Sequence, residues 1–167
     1  MNSQSTISAL VLDVADLRIL DELQRDASQS NQAIAERVHV SPPTCLRRIK
    51  RLQEAGLIER QIAVLSPEKM AATLGHGLTA ITEITLDRQG AEQLDAFETR
   101  VVQDDAVQQC YRVSPGPDFV MVVHVRDMPG YLALAQRLFS GDANVRNVKA
   151  FFSIKRSKFE PKLPLAQ

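Results

Sequence analysis

Apolar residues near the start of the chain recur at the three- and four-residue spacing of an amphipathic helix. Leu17, Ile19, Leu20 and Leu23 share one broad arc of a helical wheel over residues 13–25, and charged residues fill the remainder. Acidic residues at the beginning of this segment suit the positive end of a helix dipole. The pattern predicts a helix that packs on one side and faces solvent on the other.

Two further helices are predicted directly after it. Ser30 is a suitable N-cap for a short helix over residues 32–38, and a three-residue turn follows, beginning at His39. His is among the residues that tolerate the left-handed conformation such turns require. The third helix begins at Pro42, where a missing N–H costs nothing, and it ends before Gly56.

The segment after the third helix changes its pattern. Residues 57–65 alternate between apolar and polar types, which predicts a short hairpin or an extended wing. Residues 68–73 form another short helical pattern that glycines interrupt. Three short helices and a wing together predict a winged helix-turn-helix.

The second half of the chain alternates between strand and helix patterns. Strands are predicted at residues 78–86, 106–113, 118–126 and 145–154, and helices at residues 90–103 and 129–139. The order is therefore βαββαβ, which predicts a ferredoxin-like sandwich of four antiparallel strands backed by two helices. The fold class is α+β.

These patterns divide the chain into two small domains. We predict a winged helix-turn-helix over residues 12–64, a linker over 65–77, a βαββαβ domain over 78–156 and a C-terminal tail over 157–167. A length of 167 residues accommodates two domains of this size.

Composition and cysteine content narrow the class of protein. The chain is 44% hydrophobic and 24% charged, which is typical of a globular protein and excludes a disordered one. Its longest apolar run, residues 119–123, is far too short to cross a bilayer, and no basic segment precedes the first apolar patch. The two cysteines exclude a disulfide scaffold. We expect a cytoplasmic protein without a membrane partner.

Charge is balanced overall but unevenly distributed. Twenty basic residues cancel twenty acidic ones, yet residues 41–53 contain no acid. The third helix presents an apolar face with Cys45 and Ile49, and its four basic residues are expected to be exposed and to form a cationic face. Such a face is often merely solvated, but on the second helix of a helix-turn-helix it predicts contact with the DNA major groove. The basic residues in this segment are Arg47, Arg48, Lys50 and Arg51.

The sequence offers little for catalysis. His39, His76 and His124 have no second ligand at metal-binding spacing, and no nucleophilic triad or glycine-rich phosphate loop is present. We therefore expect no enzyme activity, no metal and no cofactor. Cys45 is predicted to be a packed thiol, with a redox sensor as the alternative.

Several motifs resemble the Lrp/AsnC (leucine-responsive, or feast/famine) family of transcription regulators. The resemblance spans residue 12 to about residue 165, and both domains occur in the family's order. The residues that carry it are DLRIL at 16–20, VSPPTCLRRIKRL at 40–52, AGLI at 55–58, LSP at 65–67, EITL at 83–86, VS at 113–114 and DM at 127–128.

This resemblance implies a DNA-binding domain joined to an ACT-like effector-binding domain, known as a RAM domain. Such domains dimerise, their dimers stack into octamers, and a small amino acid binds between dimers near the loop that joins the second and third strands. In that loop the present chain keeps one Asp, as Asp118, while Pro115 and Gly116 replace the family's usual Gly and first Asp.

Site residues follow from the helix pattern and the resemblance together. DNA contacts are predicted at Ser41, Pro43, Thr44, Arg47, Arg48, Lys50 and Arg51. Effector contacts are predicted at Ser114, Gly116, Asp118, Met128, Phe151 and Phe152.

The leading hypothesis is a sequence-specific transcription regulator that responds to an amino acid or a related metabolite. Its partners would be double-stranded DNA, the effector and further copies of the chain. Two alternatives remain open at this point. One is an ACT-like metabolite-binding or enzyme-regulatory module without DNA binding, and the other is an architectural DNA-binding protein without a ligand.

Overall fold

The computed structural model describes residues 10–75 and 77–165, and the chain divides into two compact units. The first unit extends to Ala63 and includes the C-terminal segment from Phe159, and the second unit is Val64–Lys158. One of the three histidines considered above, His76, lies outside the described residues. Among the helices described, none is long and apolar enough to span a membrane.

The first unit contains three helices, α1 (Val14–Arg25), α2 (Asn31–Val38) and α3 (Pro42–Glu54). Asp13 caps α1 through a capping box. The Asp13 carboxylate accepts from the Asp16 backbone N–H, and the Asp16 carboxylate accepts from the Asp13 backbone N–H. The helices bury one small core, whose apolar members are Ile19, Ile34, Ala35, Val38, Cys45 and Leu52.

The turn between α2 and α3 has the predicted conformation. His39 adopts the left-handed region, with φ 58° and ψ 47°, and its backbone N–H bonds back to α2. After α3, residues 57–65 contain no strand, so the hairpin form of the predicted wing is absent.

The second unit begins with α4 (Pro67–Leu74) and continues as a sheet with two covering helices. The elements are β1 (Leu78–Leu86), α5 (Ala91–Val101), β2 (Val107–Arg112), β3 (Phe119–Val125), α6 (Met128–Ala135), a π-helical turn (Gln136–Ser140) and β4 (Val145–Phe152). The strand order is β2-β3-β1-β4 and every pair is antiparallel. The predicted α+β, ferredoxin-like arrangement is confirmed.

The two faces of this sheet differ in burial. Alternate residues of β1 and β3, including Ile84 and Phe119, are fully buried, and the Phe119 ring lies 4.9 Å from that of Phe97 on α5. The intervening residues point to the other face, where Tyr111 and Phe151 keep more than half of their surface exposed. The helices therefore cover one face only.

The C-terminal segment does not form a free tail. Lys162 Nζ lies 2.6 Å from a carboxylate oxygen of Asp21 on α1, and this contact lowers the pKa of that carboxyl. The amide of Gln24 both accepts from the Leu163 N–H, at 2.6 Å, and donates to the Leu163 carbonyl, at 3.2 Å. The segment predicted to be a separate tail thus packs with the first unit.

Candidate DNA-binding and effector sites

The N-terminus of α3 is shaped by two consecutive prolines. Because Pro42 and Pro43 occupy its first two positions and lack N–H groups, Thr44 carries the first backbone donor of the helix. Ser41 is the N-cap residue, but its hydroxyl accepts from no backbone N–H of the helix and instead donates to the Thr44 hydroxyl, at 2.8 Å. Asn31 on α2 donates to the Pro42 carbonyl at 2.8 Å, which ties the two helices together there.

One side of α3 is an exposed, mainly cationic surface. Arg47 and Lys50 are both exposed on it, and the side also contains an acid, Glu54. The open groove along this side has a volume of about 550 Å³, and its lining residues are Pro43, Leu46, Arg47, Lys50, Arg51 and Glu54.

The other two basic residues of α3 are engaged with α1. Arg48 Nη1 lies 2.8 Å from a carboxylate oxygen of Asp13 and 2.8 Å from one of Asp16. Arg51 Nη2 lies 2.5 Å from the second carboxylate oxygen of Asp16. The Arg48 side chain is only 23% exposed, so the expectation that all four basic side chains are exposed is wrong for this one.

Burial explains why these ion pairs form. Asp16 is fully buried, and a buried carboxylate is costly unless it is paired and hydrogen-bonded. The Asp16 backbone N–H, and then the Arg48 guanidinium, lower the pKa of Asp13. Hydrogen bonds to Asp16 and Asp13 raise the pKa of Arg48. These two shifts favour the charged forms of Asp13 and Arg48.

The sequence contains a signal for this cluster that the charge pattern of α3 does not reveal. Asp16 falls on the same helical arc as Ile19, Leu20 and Leu23, in the middle of the face that packs. An acid in that position requires a buried partner of opposite charge. The acids Asp13 and Asp16, first considered only as helix-dipole partners, thus also pair with two arginines of α3.

In the second unit, the loop 114–118 is tied to the end of β1 through Asp118. The Asp118 carboxylate accepts from the Leu86 backbone N–H at 2.6 Å and from the Gln89 side chain at 3.3 Å. Its own N–H donates to the Ile84 carbonyl at 2.8 Å. Gly116, with φ 126°, forms the turn in a conformation that L side chains rarely adopt. The Asp118 carboxylate, which is predicted to contact an effector, thus already links the loop 114–118 to the end of β1 and to the residues that follow it.

The six predicted effector residues fall into two groups at opposite ends of the sheet. The loop 114–118 meets β1 at Ile84 and Leu86. Phe152 instead pairs with Ala80, near the start of β1. Ala80 and Leu86 are six residues apart along β1, which corresponds to about 20 Å. A single chain therefore does not bring all six together.

The second group consists of Met128, Phe151 and Phe152. Met128 is the first residue of α6, which follows the end of β3, and its side chain is exposed. Phe151 lies on the open face of the sheet, whereas Phe152 packs edge-on against Tyr131, with 5.0 Å between ring centroids. These side chains offer apolar contact surface and no charge.

The remaining candidate groups are Cys45 and the residue types that bind metals. Cys45 is fully buried beside α1 and α2, and this burial raises the pKa of its thiol. Within residues 10–75 and 77–165, no three His, Cys, Asp or Glu side chains are grouped closely enough to hold a metal ion.

Comparison with known proteins agrees with both halves of the structure. Residues 12–59 match a winged helix-turn-helix DNA-binding family, and residues 79–163 match the Lrp/AsnC ligand binding domain. An uncharacterized HTH-type transcriptional regulator of Haemophilus influenzae is 33% identical over 88% of this chain and 85% of its own length. The leucine-responsive regulatory protein of Escherichia coli is 37% identical over 74% of this chain and 73% of its own.

A solved structure shares the fold along nearly the whole chain. A transcriptional regulator of Neisseria meningitidis in complex with L-Met superimposes with a TM-score of 0.79 and 28% identity, over 92% of this chain and 97% of that one. These similarities confirm the resemblance that the motifs indicate. The chain belongs to the Lrp/AsnC family of transcriptional regulators.

Proposed function

We propose that this regulator binds specific DNA sites through the exposed side of α3 and that an amino acid or related metabolite controls its action. The observation that carries the proposal is the pair Arg47 and Lys50, both exposed on the second helix of a helix-turn-helix. Arginine in that position can bond the edge of guanine with two hydrogen bonds. Lysine there can neutralise a phosphate.

The start of α3 supplies the remaining contacts. Ser41 and Thr44 carry hydroxyls that can bond phosphate or base edges, and Pro43 offers apolar surface for a thymine methyl group. The Thr44 N–H adds a donor at the positive end of the helix dipole. We assign Arg48 and Arg51 a different part, which the next subsection develops.

A gel-shift assay on the promoter of the protein's own gene tests the DNA-binding proposal. Arg47→Ala is expected to weaken binding by about 1 to 3 kcal/mol, the range for a lost base contact. Arg126→Ala is the matched control, since it removes an exposed arginine from the second unit. Equal binding by wild type and Arg47→Ala would rule out this side of α3 as the DNA contact.

The effector site, in this proposal, is assembled from more than one copy of the chain. Its support is that the predicted contacts fall into two groups, which lie toward opposite ends of β1. The loop 114–118 of one copy, with Ser114, Gly116 and Asp118, would meet Met128, Phe151 and Phe152 of another. The Neisseria meningitidis relative in complex with L-Met supports an amino acid as the ligand class.

Self-association is part of the same proposal. The uncovered face of the sheet exposes Ile81, Tyr111 and Phe151, and apolar patches of this kind mark protein interfaces. A second copy placed face to face would form a homodimer, and contacts at the ends of the sheets would extend dimers to an octamer.

Sedimentation velocity, with and without each of the twenty amino acids, tests assembly and effector together. Ile81→Asp is expected to yield monomers, because it places a charge in the apolar interface. Val102→Asp is the matched control, since it places the same charge at an exposed apolar position at the end of α5 and not on the uncovered face of the sheet. A monomeric wild type would contradict the interface, and a wild type that responds to no amino acid would favour an architectural role without a ligand.

The proposal assigns the protein no catalysis and no cofactor. Its relatives are transcriptional regulators, and every predicted site residue serves recognition. The relatives are bacterial regulators, and bacterial DNA lies in the cytoplasm, so the proposal places this protein there.

A further inference from the structure

The charge available on α3 is smaller than its sequence suggests. Four basic residues lie between positions 47 and 51, but two of them meet carboxylates of α1 within 2.8 Å. Two guanidinium groups and the two carboxylates of Asp13 and Asp16 form a cluster without net charge. Arg47 and Lys50 are left as the cations that face outward.

Geometry fixes the direction in which the paired arginines point. Asp16 is fully buried and uses both carboxylate oxygens, one toward Arg48 and one toward Arg51. Arg51 is nevertheless 44% exposed and borders the groove on the outer side of α3. Its guanidinium is therefore close to the recognition surface but bonded inward, toward α1.

We propose that Asp13 and Asp16 act as an internal counter-charge that withholds Arg48 and Arg51 from DNA phosphates. Asp16 is then a positioning residue that keeps non-specific binding low relative to specific binding. The inference rests on the proposed DNA-binding function. It assigns a role in DNA specificity to residues at the start of α1, a helix that is not proposed to enter the DNA major groove.

Salt dependence separates this idea from a merely structural role. Each phosphate neutralised by a protein cation contributes about 0.9 to the slope of log affinity against log salt. If the counter-charge operates, the basic residues of α3 contribute about two such contacts per bound copy, and not four. A role in folding alone would not change this slope.

The first experiment measures binding of the full chain to a 25-base-pair duplex of arbitrary sequence, by fluorescence anisotropy over a range of KCl concentrations. Lys50→Gln removes the cation assigned to a phosphate and is expected to reduce the slope by about 0.9 per bound copy. Arg51→Gln is expected to leave the slope as it is. An equal reduction in both variants would show that Arg51 contacts phosphate and would overturn the inference.

The second experiment removes the counter-charge with the isosteric change Asp16→Asn, and circular dichroism checks that the variant folds. We expect a steeper slope, tighter binding to the arbitrary duplex and a lower ratio of specific to non-specific affinity. The specific probe is a duplex selected by the wild type from a random library. A folded Asp16→Asn with the wild-type slope and ratio would contradict the proposal.

Asp13→Asn provides the same test if Asp16→Asn does not fold. Asp13 is 55% exposed and, besides its capping bond, pairs with Arg48 but not with Arg51, so its loss is expected to weaken the hold on Arg48 and to steepen the slope by at most about 0.9. No change in slope would again overturn the inference. Failure of the wild type to bind either duplex would instead overturn the proposed DNA-binding function itself.

Discussion

Helix α3 of the first unit and the loop 114–118 of the second unit both present charged groups where a ligand is expected, but they hold them differently. In α3 the paired cations, Arg48 and Arg51, stand beside two exposed ones, so the helix keeps free charge for a partner. In the loop, the carboxylate of Asp118 is bonded to Leu86 and Gln89 of the same chain.

This difference shows that a helix can divide structural and binding duties among neighbouring residues, because successive side chains point in different directions. A short loop has fewer side chains among which these duties can be divided. Asp118 must therefore hold the loop in place, and an effector that uses the same carboxylate would share it with the Leu86 N–H. Changes at the two sites are expected to have different consequences.

The largest effect is expected when the buried carboxylate of the first unit is removed. Asp16→Ala should lower the free energy of unfolding by about 3 kcal/mol, because breaking a buried ion pair leaves its partners without a counter-charge. Urea unfolding measures the loss, and hydrogen exchange of the α1 and α3 amides locates it in the first unit.

Asp105→Ala is the control for this prediction, since Asp105 is exposed and its loss should change stability by less than about 0.5 kcal/mol. If Asp16→Ala were as mild as this control, the ion pairs between α1 and α3 would be incidental. The contrast between the two sites would then lose its basis.

A smaller effect is expected from Asp118→Ala in the second unit. Loss of the acceptor leaves the half-buried Leu86 N–H unsatisfied, at a cost of about 1 to 2 kcal/mol, and exchange of this amide should accelerate. The variant should also lose the effect of whichever amino acid alters DNA binding or assembly.

Gln89→Ala separates the two duties of Asp118. It removes the weaker hydrogen bond, at 3.3 Å, and keeps both the carboxylate and its bond to Leu86. We expect this variant to respond normally to the effector. A normal response by Asp118→Ala as well would assign the residue to loop structure alone.

The smallest effect is expected at Cys45. Cys45→Ala should cost about 1 kcal/mol, the loss of one packed sulfur in a small core. Burial raises the pKa of this thiol, so its thiolate is scarce at neutral pH and should form only as the solution becomes more alkaline than an exposed cysteine requires.

Reaction with a chromogenic disulfide in a Cys110→Ser background measures this reactivity over a range of pH. Reaction should be slow in the folded protein and fast in urea. Rapid reaction of the folded protein at pH 7, with reversible loss of DNA binding, would make Cys45 a redox sensor instead.

Local patterns were sufficient to predict the elements and their order. Apolar spacing located α1, the prolines located the start of α3, and the tolerance of His39 for a left-handed turn agreed with its φ of 58°. The alternation in the second half predicted all four strands of the sheet. These features depend on residues close in sequence, which periodicity describes well.

Partners distant in sequence could not be predicted in the same way. Asp16 and Arg51 are 35 positions apart, and Leu86 and Asp118 are 32 apart. Periodicity places each residue on a face of its own element but does not say which faces meet. The separation of Met128 and Phe152 from the loop 114–118 required the strand register for the same reason.

The return of the C-terminal segment to α1 has a consequence for synthesis on the ribosome. A growing chain exposes its residues in order, so N-terminal domains ordinarily complete their folding first. Here Asp21 and Gln24 meet Lys162 and Leu163 only after the more than 130 residues between them have been synthesised. The unit that is translated first is therefore the last to gain all of its contacts, after residues 64–158 are already available to fold.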